Sequence, residues 1–360
     1  MSEQDMKDSK IRLERSVAEV PTYMIDSIQV NGKHAQGMFK VPLATVETPV
    51  AIAVNRGKKA TNMSGGIDVD VLSNCMTRGI ILEADRPETA YRLVDIMFEE
   101  SDEIRRLVRE STSFGCIESL DGVVSGSDAY LRLSMFPGDA AGHNMTTRAG
   151  AILGKYLEQL PELKGKVNFL SASSNTCADK KPAAINVKKG RGKHVVATAY
   201  LSAEILREIL HVDPETLQRL NQKKNRVGSE IAGALYGNNS HYANIVAAIY
   251  LATGQDAANV VEGSMGTTSV ELIGKEDIKF SVDIPCLIVG TVGGGTSNPY
   301  AQKHLRMMQC YGSGDPIGAN GEKLAEIIGA AVLAGELNTL ASLTDPEKHS
   351  RCHVFYERER

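Results

Sequence analysis

The spacing of hydrophobic positions changes repeatedly along the chain. Residues 22–32 (TYMIDSIQVNG) alternate and end in Asn31-Gly32, a hairpin-turn signal. Residues 38–54 (MFKVPLATVETPVAIAV) form an apolar, β-branched, strand-like run that closes at Asn55-Arg56-Gly57. From Pro87 the period becomes helical: Tyr91, Val94, Met97 and Phe98 recur at helix spacing, and Ile104, Leu107 and Val108 repeat the pattern. Residues 114–136 read as two strands around a Gly/Ser/Asp-rich turn, 141–158 as a helix and 166–172 as a strand. Beyond them, apolar helices are expected at 201–219, 225–253 and 321–343, with strands at 194–199, 268–273 and 279–290. The pattern predicts an α+β protein. A large helix-rich unit, residues 1–112 and 173–360, is interrupted by a small α+β insert at 113–172.

Composition narrows the function classes. Aromatics make up 5% with no Trp, against 33 Gly, which favours close backbone packing over an aromatic core. A net charge of −4 gives no broad attraction to nucleic acid or an anionic membrane. The six cysteines form no CxxC pair in a chain of this size, so a disulfide framework is not expected and a reducing compartment is. Residues 1–15 are polar, read as frayed, and lack a signal-peptide apolar stretch. No run is read as reaching the ~20 apolar residues that span a bilayer. A cytoplasmic protein without membrane or nucleic-acid partners is the expectation.

Several segments carry candidate chemistry. In Ser173-Ser174-Asn175-Thr176-Cys177-Ala178-Asp179-Lys180-Lys181-Pro182, two lysines stand beside a carboxylate. A lysine can hold developing oxyanion charge, and an aspartate can keep it positioned and charged; a solvated charge cluster at a turn is the plain alternative. Glu47 lies within the strand-like run, where burial would raise its pKa and suit it to proton donation; a strand-end Glu reaching solvent is equally open. Asp256 follows Thr253-Gly254 at or past the end of a small-residue helix, where an anion opposes the dipole, so a cation such as Lys180 is a sensible partner. The triple Gly in Gly290-Thr291-Val292-Gly293-Gly294-Gly295-Thr296 permits close backbone approach but matches neither a P-loop nor GxGxxG. Gly138-Asp139-Ala140-Ala141-Gly142-His143-Asn144 opens a helix, either as a phosphate-binding start or as a plain N-cap by Asp139. His349 and His353 have helical i,i+4 spacing, but no HExxH accompanies them and no metal is expected.

Taken together, LATVETPVAIAVNRGKKA, CADKKPAAIN, KNRVGSEIAG, HYANIVAAIYLATGQDAANV and VGTVGGGT resemble the HMG-CoA reductase family in order and spacing, from about residue 38 to the C-terminus. The resemblance implies reduction of a thioester to an alcohol by two hydride transfers from NADPH or NADH, through a hemithioacetal and an aldehyde. It implies that Glu47 is the catalytic glutamate, Lys180 the oxyanion-stabilising lysine and Asp256 the aspartate linking both. His353, or His349, would protonate the departing CoA thiolate, the segment needing a one-residue gap to align. Substrate contacts are implied at Ser173, Asp179, Lys181, Lys224 and Asn244, and CoA or partner contacts near Arg56 and His241. The insert would be a ferredoxin-like cofactor domain with Asp139, Gly142 and Asn144 near the nicotinamide. The family is dimeric, with sites between subunits, so a homodimer is implied.

The family's CoA-associated Glu-Asn-x-x-Gly segment is not visible ahead of Glu47, and three positions depart from the family pattern. After Met76-Thr77-Arg78-Gly79 the family's carboxylate-gripping arginine is replaced by Glu83. The cofactor motif carries Ala141 in place of Met. Ser111-Thr112-Ser113 runs into Phe114 without the arginine that matches a ribose phosphate, which weakens phosphate recognition. These changes leave two alternatives: reduction of another acyl-thioester, or a non-catalytic binding protein on the same scaffold.

Overall fold

The computed structural model describes residues 16–112, 114–274, 276–345, 347 and 354. The segment 1–15 read as frayed, and both His349 and His353, lie outside the described residues.

Strands β1 (Thr22–Gly32) and β2 (Gln36–Ala44) pair antiparallel, and the Gly32 N–H donates to the Ala35 carbonyl at 2.8 Å to close their turn. The run read as one strand over 38–54 ends at Ala44. Helix α1 (Thr48–Met63) follows, with Pro49 in its first turn. Proline's fixed φ suits that position, and Val50, Val54, Gly57 and Thr61 recur at helical spacing on the buried face.

Strand β3 (Ile67–Ala84) belongs to two sheets. Its first part pairs parallel with β1 and antiparallel with β7 (Gly192–Leu201). Met76–Glu83 pairs instead with β5 (Asp128–Phe136), and 81–84 with β6 (Val167–Ser171). The large sheet runs β2-β1-β3-β7-β10-β9-β8, where β8 is Gly237–Asn238, β9 Gly266–Ile273 and β10 Asp277–Leu287. The small sheet runs β6-β3-β5-β4, with β4 at Cys116–Ser125. Helices α2 (Pro87–Glu99), α3 (Ser101–Glu110) and α4 (His143–Gln159) pack Leu93, Ile104 and Leu153 into one core with Ile80 and Leu131 of that sheet. This small core therefore takes in residues well before the expected boundary at 113, because the helical pattern from Pro87 belongs to it.

The stretch expected as one helix over 225–253 is broken. A π-helical segment (Asn221–Gly228) and one α-turn (Ser229–Ala232) stop at Gly233, whose φ is +68°. Helix α5 (Tyr242–Thr253) starts afresh after β8. Helix α6 (Ala319–Leu343) is long and apolar enough to cross a bilayer, which the reading of no such run did not allow for. It is instead the central helix of the large core, with 94% of its apolar window buried in protein.

Candidate active site

The Lys180 loop departs from ordinary backbone geometry at three residues other than glycine: Asn175, Ala178 and Lys180 have φ of +61°, +45° and +56°. Such strain persists only where surrounding structure enforces it. Here the Lys180 N–H donates to Oε1 of Glu262 at 2.6 Å, and Glu262 is fully buried. Glu262 also accepts from Nε of the buried Arg191 at 3.3 Å. Arg191 donates to the Asp179 carboxylate and, at 2.9 Å, to the Thr77 carbonyl. Asn186 Nδ2 ties down the Ala178 carbonyl at 3.2 Å. The buried Arg191–Glu262 pair holds the Lys180 amide and the Asp179 carboxylate, and Asn186 holds the main chain on the other side at Ala178.

Held this way, the Lys180 ammonium lies 2.9 Å from Oδ2 of Asp256. Gly254, at φ +69°, ends α5, and Asp256 then caps the short turn Ala257–Asn259 through the Ala258 N–H at 3.1 Å. The anion that seemed out of place past a helix end is therefore satisfied by an N–H and an ammonium. The hydrogen bond it donates to Asp256 raises the Lys180 pKa. Burial pushes the Asp256 carboxyl up, but Lys180 and the Ala258 N–H outweigh it and leave it below its ordinary range.

A cleft of about 400 Å³ opens beside this pair. One wall is Ala140–Met145, at the start of α4; the other comprises Gly254–Asp256, Asn259 and the glycine loop from Gly290 to Thr296. The walls are joined closely. The Thr291 N–H donates to the Asp139 carbonyl at 2.7 Å, and a Cβ at Gly290 would overlap the Ala141 amide. Asp139 stands behind the wall. It is buried, and its carboxylate accepts the N–H groups of Gly314, Gly318 and Gly321 at 2.8–2.9 Å. The N-cap of α4 is Gly142, at φ +95°, and not Asp139. Gly142 and Asn144 border the cleft, as does His143.

Glu47 lies elsewhere. The expectation of a glutamate buried within a strand is corrected: Glu47 is exposed at the N-cap of α1, because Pro49 starts a helix there. It borders a second cleft, about 370 Å³, with Arg56, Lys224, His241 and Asn244. Asn244 Nδ2 lies 3.5 Å from its carboxylate. Arg56 donates to the Ile209 carbonyl at 2.8 and 3.0 Å, and His241 Nε2 meets the Thr339 hydroxyl at 2.6 Å. Among the described residues no ion pair or hydrogen bond joins Glu47 to Lys180 or Asp256. Asn244 and Asp256 lie toward opposite ends of α5, whose twelve residues span about 18 Å at ~1.5 Å each.

On the Lys180 side, Ser173 is exposed and turns back on Ser171, and Lys181 Nζ donates to the Asp179 carbonyl at 3.1 Å. Lys224 Nζ reaches Asn225 Oδ1 at 3.3 Å. Glu83 sits on the small sheet, accepting from Asn168 Nδ2 at 3.0 Å, and borders neither cleft. Sequence reasoning missed Arg191 and Glu262. The run Val260-Val261-Glu262-Gly263 offered the same signal used for Glu47, a carboxylate among apolar residues. Arg191, flanked by glycines, offered none.

A family model for hydroxymethylglutaryl-coenzyme A reductase matches residues 13–357. The chain is 42% identical over 325 residues to a 3-hydroxy-3-methylglutaryl-coenzyme A reductase of Aeropyrum pernix, covering 90% of this chain and 76% of that protein. It is 39% identical over 345 residues to the reductase of Pyrococcus abyssi, covering 95% and 83%. Its fold is similar to a class II 3-hydroxy-3-methylglutaryl-CoA reductase from Streptococcus pneumoniae solved with NADPH. That match has a TM-score of 0.72 at 19% identity, over 95% of this chain and 89% of the other.

Proposed function

This chain belongs to the hydroxymethylglutaryl-coenzyme A reductase family, and from that premise we propose how its residues divide the reduction of HMG-CoA to mevalonate and CoA. The observation that carries the reading is the Lys180–Asp256 pair, 2.9 Å apart beside the cleft. An ammonium kept charged by its carboxylate partner offsets negative charge on the carbonyl oxygen as it is reduced. Asp179, Lys181 and Ser173 present substrate-binding groups from the same loop.

The cleft fits a nicotinamide dinucleotide. Gly293 and Gly294 show nothing within 4 Å of where a side chain would begin, and the N-terminus of the 17-residue α4 opens at Gly142. Bare backbone and helix N–H groups suit a pyrophosphate. When bound there, the reduced nicotinamide supplies the two hydrides. Gly142 and Asn144 would touch it, while Asp139 braces the wall from behind. NADPH is our first choice. The connectivity β3-α2-α3-β4-β5-α4-β6 and the strand order β6-β3-β5-β4 support a ferredoxin-like cofactor unit, which we place at residues 76–171.

The site as a whole is bipartite. Glu47, Lys224, Asn244 and Arg56 share one cleft, while Lys180, Asp256 and Asp179 lie at the far end of α5. No described contact brings Glu47 to Lys180 or Asp256 within one chain, so we propose a homodimer in which Glu47 of one protomer faces the partner's Lys180 and donates the proton that completes the alcohol. The test is nicotinamide oxidation with HMG-CoA, run separately with NADPH and NADH. Lys180→Ala should lower kcat about 10²- to 10³-fold with a smaller change in KM. Undiminished turnover in that variant would remove the assignment.

A further inference from the structure

Lys193 has no task in the scheme above, yet it is the one fully buried lysine among the described residues. It lies on β7, opposite Asn74 of β3 on one side and Leu287 of β10 on the other. Its ammonium donates to the Val289 carbonyl at 2.9 Å and makes no ion pair among the described residues. Val289 runs straight into the glycine loop, where both ends of the Gln255 amide hold Gly290, at 2.9 and 3.0 Å. The opposite wall rests near the same lysine. A Cβ on Gly321, whose N–H the Asp139 carboxylate accepts, would stand 3.3 Å from both the Asp139 Cα and the Lys193 Cε. One side chain therefore backs both walls of the cleft. The titratable groups facing it are Glu322 of α6, Asp139 ahead of α4 and the Cys75 thiol of β3. Glu322 is engaged by His34 at 3.2 Å and by Asn74 at 3.2 Å, and Asp139 by its three amides. A buried charge without a paired carboxylate is unfavourable, and a methionine would fill the space without one, so the fold alone does not account for this lysine.

Resting on the reductase reading, we propose that Lys193 is a positioning residue for the dinucleotide: its positive charge draws the Val289 carbonyl and the Asp139 wall toward one point and so sets the spacing of the two walls. A neutral amine donates more weakly and balances neither carboxylate, so the grip loosens when the proton leaves. Burial holds the Lys193 ammonium down, to about 8, while Glu322, Asp139 and Cys75 oppose the fall. The charged form is the gripping one, so affinity for the dinucleotide is complete below that pH and lost above it. Lys180, the ammonium beside the cleft, is shifted upward and keeps its proton through the same window.

The experiment titrates the unaltered protein and Lys193→Met with NADPH, and separately with NADH, by calorimetry from neutral pH to well above the Lys193 pKa. HMG-CoA binding is measured beside them at neutral pH. There, Lys193→Met should bind the dinucleotide about tenfold more weakly, the worth of a hydrogen bond from a charged group, and HMG-CoA nearly as before. In the unaltered protein the dinucleotide Kd should rise about tenfold across the Lys193 pKa and level off at the variant's value. A ligand that prefers the charged form raises that pKa in return, so binding near it should take up about half a proton, read from heats in buffers of different ionisation enthalpy. Lys193→Met should show neither effect. A flat Kd without proton uptake in the unaltered protein would overturn the proposal whether or not the variant folds. So would a pH dependence that survives in Lys193→Met, or equal weakening of dinucleotide and HMG-CoA. Failure of the unaltered protein to bind either dinucleotide at any pH is a different result, and it would overturn the cofactor reading and this proposal with it.

Discussion

The main chain at Lys180 sits in the left-handed region, with its amide bound to a carboxylate that water does not reach. Burial pushes the Glu262 carboxyl up, and the Lys180 N–H and the Arg191 charge oppose that rise. Removing one member of a buried pair strands the other. Glu262→Leu should therefore cost about 3–5 kcal/mol of unfolding free energy, measured by urea denaturation. Adding Arg191→Met should recover most of that stability, since an apolar pair of similar volume is often neutral. It should not recover kcat, because the Lys180 amide still lacks its acceptor; full recovery of both would mean the pair only supports the fold. Of these residues, Lys180 and Asp256 were legible from sequence because a lysine beside an aspartate and an anion past a helix end are locally conspicuous. Arg191 and Glu262 were not, since their meaning arises only from a contact across 71 residues.

Among elements, α1 and α6 meet where neither can thicken. A Cβ on Gly57 would overlap the Ala334 carbonyl, which is backbone and cannot swing aside. Gly57→Ala should destabilise the protein by about 1–3 kcal/mol or more and lower its thermal midpoint. An unchanged midpoint would show that the two helices can slide apart freely. Because α1 begins at Glu47, a shift of its axis also moves that carboxylate. The strands at 22–32, 194–199 and 268–273, and the helices at 141–158 and 321–343, were legible from their apolar runs, although β1 changes register at Ser27 and the helical stretch from Pro87 divides in two at Glu100. Two regions were not. The apolar run at 38–54 suits strand and helix equally until Pro49 is weighed as a helix start. The break at 233 depends on a single left-handed glycine within an otherwise helical pattern.

For the whole molecule, the separation of the two clefts makes a quantitative demand on assembly. If Glu47 serves the partner's Lys180, Glu47→Ala and Lys180→Ala homodimers are each inactive, but a mixed dimer has one intact site. Equimolar co-expression with random pairing should then restore about a quarter of the normal turnover per protomer. No recovery would place both groups within one chain's site and refute the arrangement. The small sheet raises a different matter. It is fastened to the large one through β3, one strand continuous across both sheets, through Asp139, clasped by three amides near the start of α6, and through Arg191, which donates to the Thr77 carbonyl. A tilt of the α4 wall about β3 would carry the Lys180 loop with it, because Arg191 and the Ser174 N–H tie that loop to Thr77 and Gly79 of the same strand.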